Sequence, residues 1–253
     1  MRGQLTDRPA PAADDPGDDD EPAAPELEGL RGGVPPAMAP AEVVALFDDM
    51  APRFDALLVG ELEYRVPERL RAAIDRAAPD RRFDTALDLG CGTGLMGAQL
   101  RPVVDVLDGV DLSPRMIEAA RARGVYDRLD QAEAVDHLTE TAVRYDLIVA
   151  TDVLIYIGDL TPLFAAARAA LAGGGLLACS IEGHDGVDVR RAPTGRYQHS
   201  PGYLTRLAAA HDLDVLAFDP TEIRLEAGAF ISGWVFVLAA GRGRARSSGR
   251  RRR

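Results

Sequence analysis

TALDLGCGTGLMGAQLRPVVDVLDGVD, residues 85–111, decides how the rest of the chain is read. A short apolar run ends in Leu87-Asp88-Leu89-Gly90, and the cluster Gly90-Cys91-Gly92-Thr93-Gly94 follows directly. Leu95 to Leu100 is compatible with a helix, and a second apolar run, Val103 to Val110, stops at the carboxylate of Asp111. Strand, glycine turn, helix, strand and acid make a nucleotide-binding half-fold. Glycines adopt backbone conformations that a side chain forbids and let the main chain approach a ligand closely. An acid at the tip of the second strand can accept both hydroxyls of a ribose.

Outward from this stretch, strands and helices alternate. Ser113-Pro114 opens a helix through Met116, Ile117 and Ala120, with the serine as N-cap and the proline in the first turn. Tyr126 to Gln131 reads as a weak third strand, followed by Ala132-Glu133-Ala134 and a short helix. Tyr145 to Ala150 is a clear fourth strand ending at Thr151-Asp152, and Leu160 to Leu171 is a helix stopped by Gly173-Gly174-Gly175. Leu176 to Ile181 is a fully apolar fifth strand. Residues 182–200 have little periodicity and read as a long loop, which in a compact domain is usually functional. Pro201 to Ala210 forms a helix, and Leu213 to Phe218 and Ile231 to Leu238 are strands six and seven, with a loop of Glu222 to Gly228 between them. Such alternation predicts an α/β fold, a mostly parallel sheet with helices on both faces.

Before the glycine cluster, Val43, Val44, Leu46, Phe47, Met50, Phe54, Leu57 and Leu58 recur at helical spacing, with a break at Pro52. A second helix carries Leu70, Ala73 and Ile74 on one face. Together, residues 41–80 make an N-terminal helical cap that either packs on the sheet or closes over its ligand end. Residues 1–40 combine Pro, Ala, Gly and acids and bury too little apolar surface to fold, so they are expected to be disordered. The same is expected of the Arg-rich tail, 241–253, which leaves 81–240 as the main domain. The net charge of −11 hides an asymmetry: residues 1–28 carry −7 and the tail from Arg242 carries +7, so the body itself is strongly acidic. That argues against a broad nucleic-acid surface, which needs a basic footprint; the tail is the one basic segment. No apolar run approaches the ~20 residues of a membrane span. The N-terminus lacks the basic and apolar blocks of a secretion signal. Two cysteines, Cys91 and Cys179, provide neither a disulfide framework nor a metal set. These readings place the chain in the cytoplasm.

Gly92-Thr93-Gly94-Leu95-Met96-Gly97 satisfies the dinucleotide spacing G-x-G-x-x-G, with Asp111 close to the downstream position where that fingerprint wants an acid. Asp88 points elsewhere. An acid two residues before the glycines can bind an ammonium group but would repel a pyrophosphate. DLGCGTG followed by VDLSPRMIEAAR resembles the class I S-adenosylmethionine-dependent methyltransferases, over about residues 83–240. The resemblance implies a Rossmann-like seven-stranded sheet of order 3-2-1-4-5-7-6 with strand seven antiparallel. It also implies S-adenosyl-L-methionine as cofactor. Asp88 would contact it directly or through water, Gly90, Cys91, Gly92, Thr93 and Gly94 would pass under the methionine moiety, and Asp111 would hold the ribose. Leu112 and Met116 would flank the adenine, Glu133 after Ala132 would hold its amine, and Thr151 and Asp152 would lie near the sulfonium. The flanks, ALFDDMAPRFDALLVGELEYRVPERL and TGRYQHSPGYLTRLAAAHDLDV, are similar to a bacterial group of predicted methyltransferases often found alongside tetratricopeptide repeats, although no such repeat is visible in this chain. In that light Tyr64 closes over the cofactor, and residues from Gly195 to Ser200 line an acceptor pocket.

A sulfonium methyl is already electrophilic, so the protein mainly aligns acceptor, methyl and sulfur and excludes water. A hydroxyl or amine acceptor also calls for a base; His199, Tyr197 and Tyr156 are the candidates, with His184 behind them. The expected activity is O- or N-methylation of a small-molecule acceptor. Thr151-Asp152-Val153-Leu154 stands where an Asn-Pro-Pro-aromatic run would mark methylation of adenine or glutamine nitrogen. Two alternatives remain open at this level, an NAD(P)-dependent oxidoreductase and a methyltransferase-like binding module without turnover.

Overall fold

The computed structural model describes residues 37–241; the acidic head before them and the arginine tail after them, both expected to be disordered, lie outside the described residues. Nine strands are present among these residues: β1 (Phe83–Leu89), β2 (Val104–Asp111), β3 (Arg128–Gln131), β4 (Tyr145–Ala150), β5 (Leu171–Glu182), β6 (Val189–Arg191), β7 (Tyr197–His199), β8 (Leu213–Glu226) and β9 (Ala229–Ala240). Seven form one sheet of order β3-β2-β1-β4-β5-β9-β8, and β6 and β7 form a separate hairpin. With that hairpin set aside, the order is 3-2-1-4-5-7-6, as the sequence implies. β9 runs antiparallel to both β5 and β8, while β1 to β5 pair in parallel.

The helices are α1 (Pro40–Met50), α2 (Val66–Ala77), α3 (Leu95–Leu100), α4 (Pro114–Arg123), α5 (Ala134–Glu140), α6 (Thr161–Ala170) and α7 (Pro201–Ala210). Three of the seven starts carry side-chain caps. Ser113 Oγ accepts from Met116 N at 3.1 Å, Ser200 Oγ accepts from Tyr203 N at 3.2 Å, and the Glu133 carboxylate accepts from Val135 N and Asp136 N. The central strand β4 shows why the run Tyr145–Ala150 is apolar throughout. Leu147 and Val149 join the core beneath α2 and α3, while Ile148 and Ala150 join the core beneath α6 and α7. A parallel strand covered on both faces needs no polar side.

Three boundaries differ from the sequence reading, each for a local reason. Tyr126 is not in a strand; its ring turns in beneath the glycine cluster, and β3 starts two residues later. Helix α6 ends at Ala170 rather than Leu171, and β5 begins at once. The glycines 173–175 form an irregularity inside that strand, between the pairs Tyr145↔Leu171 and Leu147↔Leu176. A Cβ on Gly175 would lie 2.8 Å from Tyr145 O, a contact only glycine avoids. The expected loop of Glu222 to Gly228 is instead strand as far as Glu226, with the turn confined to Ala227 and Gly228, both at positive φ. Likewise the 182–200 segment is not a free loop, since the β6–β7 hairpin occupies it.

The cap divides into two parts with different work. α2 buries Leu70, Ala73 and Ile74 against α3 and the β5, β8 and β9 end of the sheet. α1 and the irregular helical turns from Ala51 to Glu61 lie over the carboxyl ends of the strands and turn their apolar side chains toward a cavity.

Candidate active site

A cavity of about 580 Å³ opens between the carboxyl ends of β1, β2, β4 and β8 and the α1 lid. This crevice, where the strand order reverses between β1 and β4, is the usual ligand position in open α/β sheets. Gly90, Cys91, Gly92 and Thr93 form its floor, and Asp111, Leu112 and Glu133 form one wall. Thr151, Tyr64 and Tyr156 face it from the other side.

The glycine turn has little freedom to change. Gly90 has φ +63°, and a Cβ there would meet the Val153 side chain at 2.3 Å. Gly92 and Gly94 are also left-handed, at +53° and +92°. Asp111 accepts one backbone N–H on each carboxylate oxygen, Ser113 N on Oδ1 at 2.9 Å and Gly92 N on Oδ2 at 2.8 Å. Each oxygen therefore keeps a lone pair for a second donor at the cavity wall. Burial raises the Asp111 carboxyl above the ordinary value, and the backbone donors of Ser113 and Gly92 oppose that rise.

Asp88 lies fully buried under this turn and does not border the cavity. Its Oδ2 accepts from the Tyr126 hydroxyl at 2.6 Å, while Oδ1 has no partner among the described residues. Burial pushes this carboxyl up to about 7, against the stabilising hydrogen bond from Tyr126. A buried carboxylate with one oxygen unmatched, next to a glycine turn and the carboxylate of Asp111, suits a ligand carrying positive charge. The donor set thus fits an aminoacyl nucleoside of the S-adenosylmethionine type. Met116 and Gly94, expected near the ligand, do not reach the cavity surface; Met116 is buried beneath α4 and Gly94 caps α3.

The three expected catalytic side chains separate. Tyr156 borders the cavity, with its ring edge-on to Phe47 at 5.5 Å. Tyr197 and His199 do not border it; they sit in the β7 strand of the hairpin, buried. His199 Nε2 lies 3.0 Å from Ile157 O and 3.2 Å from Gly158 O. Carbonyls only accept, so Nε2 carries the proton. Burial holds the ring neutral, with its pKa lowered to about 4. Stacked on Tyr203, His199 ties the hairpin to the segment after β4. His184 is equally occupied, accepting from Gly186 N at 3.0 Å. No histidine borders the cavity. Burial also keeps both wall tyrosines in the phenol form: Tyr156 is pushed up to about 12, and Tyr64 well above the ordinary value.

At the far end of the cavity Asp152 and Arg196, both expected near the ligand, meet charged groups that sequence reading passed over: Arg224, Glu226 and Glu182. Arg224, on β8, is nearly fully buried and donates from Nη1 to Asp152 Oδ2 at 3.0 Å, from Nε to Glu226 Oε2 at 3.3 Å, and from Nη2 to Glu182 Oε1. Arg196 donates from Nε to Glu182 Oε1 at 2.8 Å and from Nη2 to Glu226 Oε2. Asp152 sits at φ +56°, a conformation an aspartate rarely takes, with its N–H held by Ser180 Oγ at 2.9 Å. A period-two pattern, Glu222-Ile223-Arg224-Leu225-Glu226, was the available signal for a strand here.

The lid is fastened directly to the glycine turn. Asp55 Oδ1 accepts from Thr93 Oγ1 at 2.5 Å, and its Oδ2 pairs with Arg123, which also donates to Thr93 O at 2.5 Å. Asp48 accepts from Ser113 Oγ at 2.5 Å, and Met38 N donates to Tyr156 O at 2.9 Å. At the other end, Leu225 N of β8 donates to Leu62 O at 2.7 Å.

Comparison with known proteins gives a family model described as a methyltransferase domain, matched over residues 62–223. Human methyltransferase-like protein 27 is 41% identical over 91 residues, 35% of this chain and 37% of that protein. The chain spans about two fifths of the length of the first curated relatives it matches. Among solved structures, the [4+2]-cyclase SpnF superposes with TM-score 0.65 at 17% identity, over 84% of this chain and all of that one. Magnesium protoporphyrin IX methyltransferase from Synechocystis, with bound SAM, superposes with TM-score 0.60 at 15% identity, over 80% and 97% of the two chains.

Proposed function

The chain belongs to the methyltransferase-domain family, and from that premise we propose that it is an S-adenosylmethionine-dependent methyltransferase acting on a small-molecule acceptor, by O- or N-methylation. The observation that carries the reading is Asp111, which presents one free acceptor position on each oxygen to the cavity beside a left-handed glycine turn. Asp111 would hold the ribose hydroxyls and the Gly90–Gly94 turn the methionine moiety, while Asp88, which does not border the cavity, would favour the positive amino end by its charge from beneath the turn. Leu112 would pack on the base. Glu133 spends one oxygen on capping α5 and has the other for an exocyclic amine. When bound, the cofactor supplies an electrophilic methyl group on a sulfonium.

This chain's own contribution is then alignment and exclusion of water. The lid covers the site with Phe47, Phe54 and Leu57, and Tyr64 and Tyr156 close the side nearest Asp152. Both phenols remain protonated near neutral pH, so they orient by donating rather than acting as bases. Proton removal from a hydroxyl or amine acceptor falls to a carboxylate, and Asp152, raised by burial, is the one placed for it. Calorimetric titration with S-adenosylmethionine and with NADH tests the reading. Saturable binding of S-adenosylmethionine and none of NADH is expected; the reverse would establish the oxidoreductase instead. Release of S-adenosylhomocysteine in the presence of an acceptor separates an enzyme from a binding module.

A further inference from the structure

Granted that reading, the cavity wall says more about the acceptor. Its two ends are set apart by the sheet: Asp111 ends β2, whereas Arg224 and Glu226 lie on β8, with β1, β4, β5 and β9 between. The cofactor groups described above occupy the β2 end. The remaining wall consists of two kinds of surface. One is apolar and largely aromatic, from Phe47, Tyr64 and Tyr156 with Leu57 and Leu58; Phe54 instead packs over the Gly92 turn. The other is the ionic network at the β8 end.

That network is acidic on balance. Two arginines, Arg196 and Arg224, face three carboxylates, Asp152, Glu182 and Glu226. Each nitrogen of Arg224 already donates to a carboxylate, so an incoming anion would have to displace an internal partner. Glu226 accepts both arginines on Oε2 alone; its Oε1 has no protein partner among the described residues, and the side chain remains partly exposed at the cavity. The arginines hold Glu226 ionised: burial would raise its carboxyl, but the hydrogen bond and charge of Arg196 bring it below the ordinary value. Aromatic faces beside a fixed carboxylate attract a cation twice, through the ring quadrupole and through charge-assisted hydrogen bonding. The field of an acidic body acts in the same direction.

We infer that the acceptor is an amine with an apolar body, seated beneath the lid aromatics with its ammonium group on Glu226, and that the ammonium gives up a proton to Asp152 before the freed nitrogen lone pair takes the methyl from the sulfonium. The test uses matched probes on the full chain saturated with S-adenosylhomocysteine: 2-phenylethylamine, 2-phenylethanol and 3-phenylpropanoate, titrated at pH 7.5. The amine is expected to bind at least about tenfold more tightly than either of the others, and Glu226→Gln, which keeps an oxygen acceptor for the arginines, is expected to erase that preference. The S-adenosylhomocysteine titration of the variant checks its folding. Arg196 keeps Nη1 without a protein partner among the described residues, so the carboxylate probe tests the opposite charge. Tighter binding of the carboxylate, equal binding of all three, or no binding of the amine overturns the inference. Failure of S-adenosylhomocysteine itself to bind would instead remove the methyltransferase reading on which it rests.

Discussion

At the scale of single residues, Asp111 and Asp88 make separable predictions. Asp111→Ala removes the carboxylate proposed to hold the ribose diol, and its loss of two hydrogen bonds to a charged group is worth roughly 3 kcal/mol or more. Affinity for S-adenosylhomocysteine should fall by about 100-fold in calorimetry. Asp88 reports through pH. Its folded-state carboxyl is raised from 3.8 to about 7, chiefly by burial, so the folded protein holds a proton that the unfolded chain releases. The stability this confers is complete below pH 4 and is lost as pH rises through 7, by a few kcal/mol at most. The melting temperature of the unliganded protein should therefore fall more between pH 5 and pH 8 than that of Asp88→Asn, which cannot ionise. Asp88, the Gly90–Gly94 turn and Asp111 were legible from sequence because spacing alone brings them together within one strand-turn-helix-strand unit. Arg224 and Glu226 were not, because their meeting with Asp152 and Arg196 depends on how strands far apart in sequence are ordered.

Among elements, the cap offers the sharpest contrast. In α2, Leu70 is fully buried, and Leu70→Ala should cost about 2–5 kcal/mol in chemical denaturation. In α1, Leu46 is 42% exposed although it lines the cavity. Leu46→Ala should change stability by no more than about 0.5 kcal/mol, and a loss of acceptor affinity would show the lid at work. Helical periodicity announced both elements equally. It could not tell them apart, since an apolar stripe reads the same whether it faces a sheet or a ligand cavity. The same blindness affected β8: its last residues are charged at alternate positions, which resembles a loop by composition and a strand only by period.

Over the whole molecule, we propose a methyltransferase domain of residues 81–240 with the 41–80 cap folded onto it from two directions, α2 on the sheet and α1 over the cavity. The described residues contain no helix long and apolar enough to cross a membrane. The fold followed from the sequence because β4 and β5 announced themselves by apolar continuity and the starts of α4, α5 and α7 by a capping residue. The clasp of Asp55 on Thr93 and Arg123 joins the two halves of the site, since Asp55 belongs to the lid and Thr93 to the glycine turn. Two ligands that share one mechanical support cannot bind independently. Whatever factor the cofactor applies to acceptor affinity by fixing the turn, the acceptor must return to the cofactor. Breaking the clasp with Thr93→Val should shrink that mutual factor toward one, measured as acceptor titrations with and without S-adenosylhomocysteine.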